Sequence, residues 1–136
     1  MGLEIERTTR DYLYGRLLAL AEHIEKAALI GSEKNRDTSA TKLMQRFAER
    51  PASTWRTIEL ALTPYKSRLR ISKGGLMHKF DALHDQIVCA FKPNDFTSDS
   101  PLSGEFLLGY HCQREALKPP TKPIESGSDT TEPTTD

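Results

Sequence analysis

The sequence lacks the features that mark a membrane or secreted protein. No apolar run in its 136 residues approaches the roughly 18–20 that cross a bilayer, and no hydrophobic signal segment follows Met1. The chain has two cysteines, Cys89 and Cys112, both inside helical patterns, which favours reduced, partly buried thiols over a disulfide. These absences indicate a cytoplasmic protein.

Signatures of catalysis and of metal binding are missing as well. None of the four histidines stands at metal-ligand spacing from another His, Cys or Glu, and there is no CxxC pair. No GxSxG nucleophile motif occurs, and Gly74-Gly75 lacks the Lys-Ser/Thr of a P-loop, so a plain turn between helices is the better interpretation. We therefore expect no enzymatic activity, no metal and no cofactor.

Strand patterns are absent too, because no alternating run of β-branched residues and no hairpin dipeptide occurs. Apolar residues recur instead at spacings of three and four, which predicts amphipathic helices. Pro64 lies inside one such pattern and predicts a kink, or a restart capped by Thr63. The predicted helices run from about 9 to 30, from Thr38 or Ser39 to Arg50, from Pro51 through Leu69, from Leu76 to Phe91, and from Pro101 in a first turn to about Leu117.

These elements predict an all-α, single-domain bundle of about five helices over residues 9–117. Residues 1–8 are polar and are expected to fray. From residue 118 to 136, prolines, threonines, serines and acids alternate with almost no apolar side chains. Such a segment buries too little surface to offset its ordering entropy, so we expect a disordered, acidic tail.

What the chain does have is a concentrated block of positive charge. Between Lys34 and Lys79 stand eleven bases and three acids, a net charge of +8, although the whole chain is formally neutral. The remaining residues therefore carry the compensating negative charge. A basic block inside a neutral protein indicates a polyanion on one face and protein neighbours on the others.

Helical spacing gathers these bases into two ridges, one formed by Lys42, Arg46 and Arg50 and the other by Arg56, Thr63, Lys66 and Arg70. Two adjacent helices would then present one positive band suited to a phosphate backbone. The predicted nucleic-acid-binding residues are Lys42, Arg46, Arg50, Arg56, Lys66, Arg68, Arg70 and Lys73. An ordinary solvated helix face is the alternative. Trp55 and Tyr65 could stack on bases, but both lie in the apolar phase of their helix, which favours core packing.

Two stretches resemble a known family: Tyr12-Leu13-Tyr14-Gly15-Arg16-Leu17-Leu18-Ala19 and Phe106-Leu107-Leu108-Gly109-Tyr110-His111-Cys112-Gln113-Arg114. Separated by about ninety residues of basic helix, they look like the C-terminal helical region of the large subunit of type I-C CRISPR Cascade. In that family this region is also made as a separate small subunit from an internal start codon. A chain that begins at Met1, just ahead of the pattern, is what such a product would look like.

The resemblance implies a non-catalytic bundle that lines a crRNA-guided complex beside the large subunit, the backbone subunits and further copies of itself. It also implies contacts with the crRNA–target DNA heteroduplex and with the displaced DNA strand, in support of the R-loop. Base pairing supplies sequence information in such complexes, so sequence-independent phosphate contacts suffice. A helical protein–protein adaptor that docks an acidic partner remains the alternative.

Gly15 and Gly109 each interrupt a helical pattern, where glycine costs about 1 kcal/mol relative to alanine. A close approach of two helix backbones would explain that cost. We therefore predict that the first and last helices cross near these glycines, with Arg16 and Arg114 close by.

Overall fold

The computed structural model describes residues 2–118, and these form an all-α bundle, as predicted. No strand occurs within that range. The tail from residue 119 onward, for which disorder is predicted, lies outside the described residues. The elements are α1 (Arg10–Ala28), a 3-10 helix (Gly31–Asn35), α2 (Ser39–Lys42), α3 (Met44–Glu49), α4 (Pro51–Ser72), α5 (Gly74–Ala90) and α6 (Glu105–Leu117).

Helix α1 is the central element of the bundle. It packs against α2, α4, α5 and α6, and most of its residues are buried on every side. The predicted stripe that includes Leu13, Leu17 and Ile24 is indeed buried. The opposite side is buried too, because Tyr12, Leu18 and their neighbours carry apolar groups around the whole circumference.

Helices α1 and α6 run side by side in close contact, which confirms the predicted crossing at the two glycines. A Cβ built on Gly15 would stand 2.7 Å from the Tyr110 amide nitrogen and closer still to the Phe106 carbonyl oxygen. A Cβ on Gly109 would stand 2.9 Å from the Tyr12 carbonyl carbon and closer still to its oxygen. The absence of a side chain at each glycine therefore lets the backbones of α1 and α6 come into direct contact.

The predicted second helix is broken into α2 and α3 at Leu43, whose ψ of 7° departs from α-helical geometry. Side chains from α1 fix the first half. The Glu25 carboxylate accepts a hydrogen bond from the Ser39 amide at 2.9 Å, and the Glu22 carboxylate accepts one from the Thr41 hydroxyl at 3.3 Å. These buried acids hold the start of α2 against the central helix.

Thr38 caps α2, as predicted, and its removal should be measurable. Its Oγ1 accepts a hydrogen bond from the Thr41 amide at 3.1 Å, and the residue is fully buried. We expect Thr38→Ala to lower the free energy of unfolding by about 1 kcal/mol in urea titrations. Thr9 occupies the N-cap of α1 without a side-chain cap bond, so Thr9→Ala is the matched control and should change little. Equal losses from both variants would contradict the capping role.

Helix α4 continues through Pro64 without interruption, so the alternative of a restart at Thr63 is wrong. Its stripe of Trp55, Ile58, Leu62 and Leu69 is buried as predicted. The turn predicted at residues 72–75 shrinks to Lys73, because α5 begins at Gly74.

The last helix begins at Glu105, so the predicted start at Pro101 is wrong. Residues 98–103 are held instead by bonds to other parts of the fold. The Leu102 amide donates to the Ala48 carbonyl at 2.7 Å, and the Ser103 amide donates to the Asp11 carboxylate at 2.8 Å. These tertiary bonds fix Leu102 and Ser103 against α3 and α1, and α6 begins only after them.

The segment predicted to fray is tied down where it is described. The Glu4 amide donates to the Tyr12 hydroxyl at 3.0 Å, and the Arg7 guanidinium pairs with Glu105 at 2.9 Å.

Both cysteines are free thiols. Cys112 is buried, but Cys89 is exposed, which corrects the prediction of partial burial. Among the described helices, none has the length and apolarity needed to cross a membrane.

Candidate nucleic-acid interface

The structure separates the eleven bases of the block into two groups by their ion pairs. Three of them pair with acids of the same chain: Arg36 with Glu25 at 3.3 Å, Arg68 with Glu33 at 3.2 Å and Arg70 with Asp81 at 3.2 Å. The remaining eight make no ion pair within residues 2–118: Lys34, Lys42, Arg46, Arg50, Arg56, Lys66, Lys73 and Lys79. The unpaired charges are those with the most to gain from an external anion.

Arg46 and Arg50 converge where α3 meets the start of α4. Together with Ser53, Thr54 and Thr57 they line a cavity of about 80 Å³. Both arginines are exposed, and hydroxyl groups form the α4 side of the cavity. The Thr54 and Thr57 hydroxyls already donate to the Arg46 and Ser53 carbonyls, at 3.2 and 3.4 Å. An anion in this cavity would therefore be bound by the two guanidinium groups, which are common donors to phosphate oxygens.

A second, more open depression of about 440 Å³ continues along α4 and is lined by Arg56, Glu59, Leu60, Thr63 and Lys66. It adjoins the first, because Arg56 and Thr57 are consecutive residues of α4 that line one depression each. We call Arg46, Arg50, Arg56 and Lys66 the basic strip. All four lack an ion pair in the part of the chain that the structure describes.

One acid borders the basic strip. The Asp99 carboxylate accepts hydrogen bonds from both the hydroxyl and the amide of Ser53, at 2.9 Å for the amide. These bonds, above all the one from the hydroxyl, hold the pKa of Asp99 below its usual range, and the nearby charge of Arg50 adds to the effect. The first turn of α4 is therefore already occupied by a carboxylate, and an anion in the strip must rely on the arginine and lysine side chains.

The other predicted binding residues lie elsewhere. Lys42 is exposed on α2, beyond the break at Leu43, and lines neither depression. Arg68 and Lys73 line a separate depression of about 250 Å³ beside the end of α1, together with Lys34. Arg70 is exposed on α4 but paired with Asp81. The single band expected from helical spacing is thus divided between two sides of α4.

Tyr65 has a role that the sequence pattern did not reveal. Arg36 and Arg68 lie within 6 Å of its ring centroid, and the Arg36 guanidinium donates to its hydroxyl. Arg68 also donates to the Ala28 carbonyl at 2.8 Å. These contacts fasten the 3-10 segment to α4, so Tyr65 is engaged by protein rather than free to stack on a base. Trp55 is buried, as predicted.

The histidines are dispersed. His23 is half-buried against Phe80, and burial lowers its pKa. His84 stacks on Trp55, with ring centroids 6.4 Å apart, and its Nε2 lies 3.6 Å from Glu59. Over residues 2–118, no three His, Cys, Asp or Glu side chains stand close enough together to hold a metal ion.

Comparison with protein families identifies the chain. The family model described as CRISPR-associated protein (Cas_Csd1) matches residues 1–118, which includes the whole described bundle. The chain belongs to the Cas_Csd1 family. A search of curated proteins finds no match.

The basic strip of this Cas_Csd1 family member lies on α3 and α4, whereas the two resemblance stretches lie on α1 and α6. One surface feature of α4 was missed by sequence reasoning. Leu60 and Ile71 are 76% and 89% exposed, although both are large apolar residues. Their exposure could have been predicted, because helical spacing places neither residue on the side of α4 that carries the buried Trp55, Ile58 and Leu62.

Proposed function

We propose that this Cas_Csd1 family member is a non-catalytic small subunit of a crRNA-guided Cascade complex of type I-C. In that role it binds nucleic-acid backbone without sequence specificity and so stabilises the R-loop and the displaced strand. Its partners are the large subunit, the backbone subunits, further copies of itself and the crRNA–target heteroduplex. Family membership supports the CRISPR setting, and the basic strip supports the contact with nucleic acid.

The observation that carries the proposal is the set of four unpaired bases in two adjoining depressions. Phosphates in a strand recur every few ångströms, so several spaced cations along α3 and α4 match a strand better than one small anion. The Thr57 and Thr63 hydroxyls already donate to backbone carbonyls of α4, so the four charged side chains carry the contact with phosphates. Such contacts position a backbone and carry no sequence information.

The test removes the four charges of the strip while keeping an uncharged polar side chain at each position. We expect Arg46→Gln, Arg50→Gln, Arg56→Gln and Lys66→Gln together to weaken target-DNA binding by the assembled complex about 10- to 100-fold near physiological salt. The slope of log K against log salt should fall in magnitude by about 3, since up to four phosphate contacts are lost. Equilibrium binding across a salt series measures both quantities.

The matched control removes four charges from other exposed sites: Lys34→Gln, Lys73→Gln, Lys79→Gln and Lys92→Gln. It has the same net charge as the strip variant, so an effect of overall charge alone would weaken both equally and would contradict the proposal. Normal DNA binding by the strip variant would also contradict it. If the chain ignores nucleic acid but binds one acidic protein saturably, the adaptor alternative holds instead.

A further inference from the structure

The outward face of α4 carries an uncharged stripe beside the basic strip. Its members recur at spacings of four and three residues: Ser53, Thr57, Leu60, Pro64, Ser67 and Ile71. We call them the α4 stripe. At about 100° per residue these positions stay on one side of the helix over five turns. No charged side chain interrupts them, although α4 bears five charged residues at other positions.

This spacing is that of a helix-packing seam, but the side chains face away from the bundle. Leu60 is 76% exposed and Ile71 is 89% exposed, while Thr57, Pro64 and Ser67 are exposed as well. The bundle already buries a different stripe of α4 through Trp55, Ile58, Leu62 and Leu69. Helix α4 therefore has two faces of helical periodicity, of which the described fold covers one.

Between the two large apolar residues of the stripe, Leu60 and Ile71, stand only Pro64 and Ser67, which lets another backbone approach closely there. Pro64 adds an acceptor at that point, since proline has no amide hydrogen to donate to the Leu60 carbonyl four residues earlier. Such a surface suits a helix better than an extended strand, because knobs of a partner helix fit between side chains spaced three and four apart.

We propose that the α4 stripe docks an amphipathic helix of a neighbouring protein subunit, with acidic residues beside the partner's apolar seam. The charges that flank the stripe select this occupant. Arg56 and Arg70 lie next to it on one side, and although Arg70 is paired with Asp81, Arg56 has no ion pair within residues 2–118, so an acid on the partner would be attracted there. Two copies of α4 facing each other would bring these arginines together, which disfavours a second copy.

The inference rests on the proposed role as a subunit of a protein assembly, and it extends that role by naming a contact surface. The α4 stripe meets the basic strip at the start of α4, where Ser53 and Thr57 line the cavity with the two arginines and Leu60 lines the next depression. The rest of the stripe lines neither depression: Pro64, Ser67 and Ile71. A partner helix and a nucleic-acid backbone can therefore lie on neighbouring parts of the same face. Assembly and DNA binding should then respond to different substitutions.

The test compares two matched double variants in reconstitution of the complex from the chain and a complex that lacks it. We expect Leu60→Gln with Ile71→Gln to raise the Kd for assembly at least about tenfold, because the buried apolar contact is lost. The control is Ile5→Gln with Ile30→Gln, at residues 58% and 67% exposed outside α4, and it should stay within twofold of the unmodified chain. Circular dichroism checks that both variants stay folded.

A photo-crosslinking residue at Ser67 identifies the occupant in the assembled complex. A crosslink to an acidic amphipathic helix of another subunit supports the inference. A crosslink to a second copy of this chain or to nucleic acid overturns it, as does a Leu60/Ile71 variant that assembles with unchanged Kd or a control that loses as much. In those cases a DNA-binding defect of the strip variant would still support the proposed function. Failure of the unmodified chain to assemble would count against that function itself.

Discussion

Gly15→Ala and Gly109→Ala are each expected to destabilise the bundle by at least about 3 kcal/mol, far more than a typical single substitution. Either new methyl group would overlap backbone atoms of the facing helix: Phe106 and Tyr110 for Gly15, and Tyr12 for Gly109. Backbone cannot rotate aside as a flexible side chain can, so α1 and α6 must separate. Urea unfolding followed by circular dichroism at 222 nm gives the free energy of unfolding.

Gly75→Ala provides the matched control, because it makes the same chemical change inside α5 with nothing within 4 Å of the new Cβ. Helix propensity alone favours alanine by up to about 1 kcal/mol, so this variant should be neutral or slightly stabilised. A comparable gain from Gly15→Ala would show that α1 and α6 do not meet at that glycine in solution.

This crossing was predictable because glycine inside a strongly helical pattern has a cost that needs a reason. The sequence also identified the buried stripes of α4 and α5, since their periodicity lies within one element. Leu62 and Phe80 are examples, and both are buried as expected. Features that depend on one helix and its own spacing were therefore within reach of sequence reasoning.

Helix boundaries that depend on tertiary bonds were not within reach. Ser100-Pro101 is a good start signal for a helix, yet α6 begins at Glu105. The Arg10 guanidinium donates to the Ser100 and Pro101 carbonyls, at 2.9 and 3.2 Å. An arginine ninety residues earlier in the chain thus helps hold the segment extended. The break at Leu43 similarly follows from contacts of α2 with α1.

The candidate interface was predictable only as a concentration of charge. Helical spacing correctly placed Arg56 and Lys66 on one side of α4, where they line the same depression. It did not separate them from Arg68, whose guanidinium is engaged by Glu33, the Ala28 carbonyl and Tyr65. The ion pair of Arg68 depends on the path of the 3-10 segment, which places Glu33 beside it, and that path has no periodic signal in the sequence.

Glu22→Ala is expected to cost about 3 kcal/mol of unfolding free energy, because Glu22 joins three helices from inside the bundle. Its carboxylate accepts a buried hydrogen bond from the Tyr110 hydroxyl of α6 at 2.7 Å and another from the Thr41 hydroxyl of α2 at 3.3 Å. Arg114 and Lys26 approach it at 3.8 Å. Removal of the carboxylate leaves the Tyr110 hydroxyl buried without an acceptor. Glu22→Gln keeps an acceptor oxygen and should cost about half as much.

A double-mutant cycle of Glu22→Ala with Tyr110→Phe isolates this bond. Once Glu22 is absent, removal of the Tyr110 hydroxyl should cost less unfolding free energy, because the bond is already broken. We expect a coupling of about 1–2 kcal/mol, and additive losses would refute the link.

Burial, reinforced by the Glu22 carboxylate, raises the pKa of Tyr110 from 10.0 to about 12. A raised pKa stabilises the fold fully below pH 10 and loses that contribution as the pH rises towards 12. Tyrosinate absorbance should therefore show Tyr110 titrating at lower pH in Glu22→Gln, because the carboxylate no longer opposes ionisation.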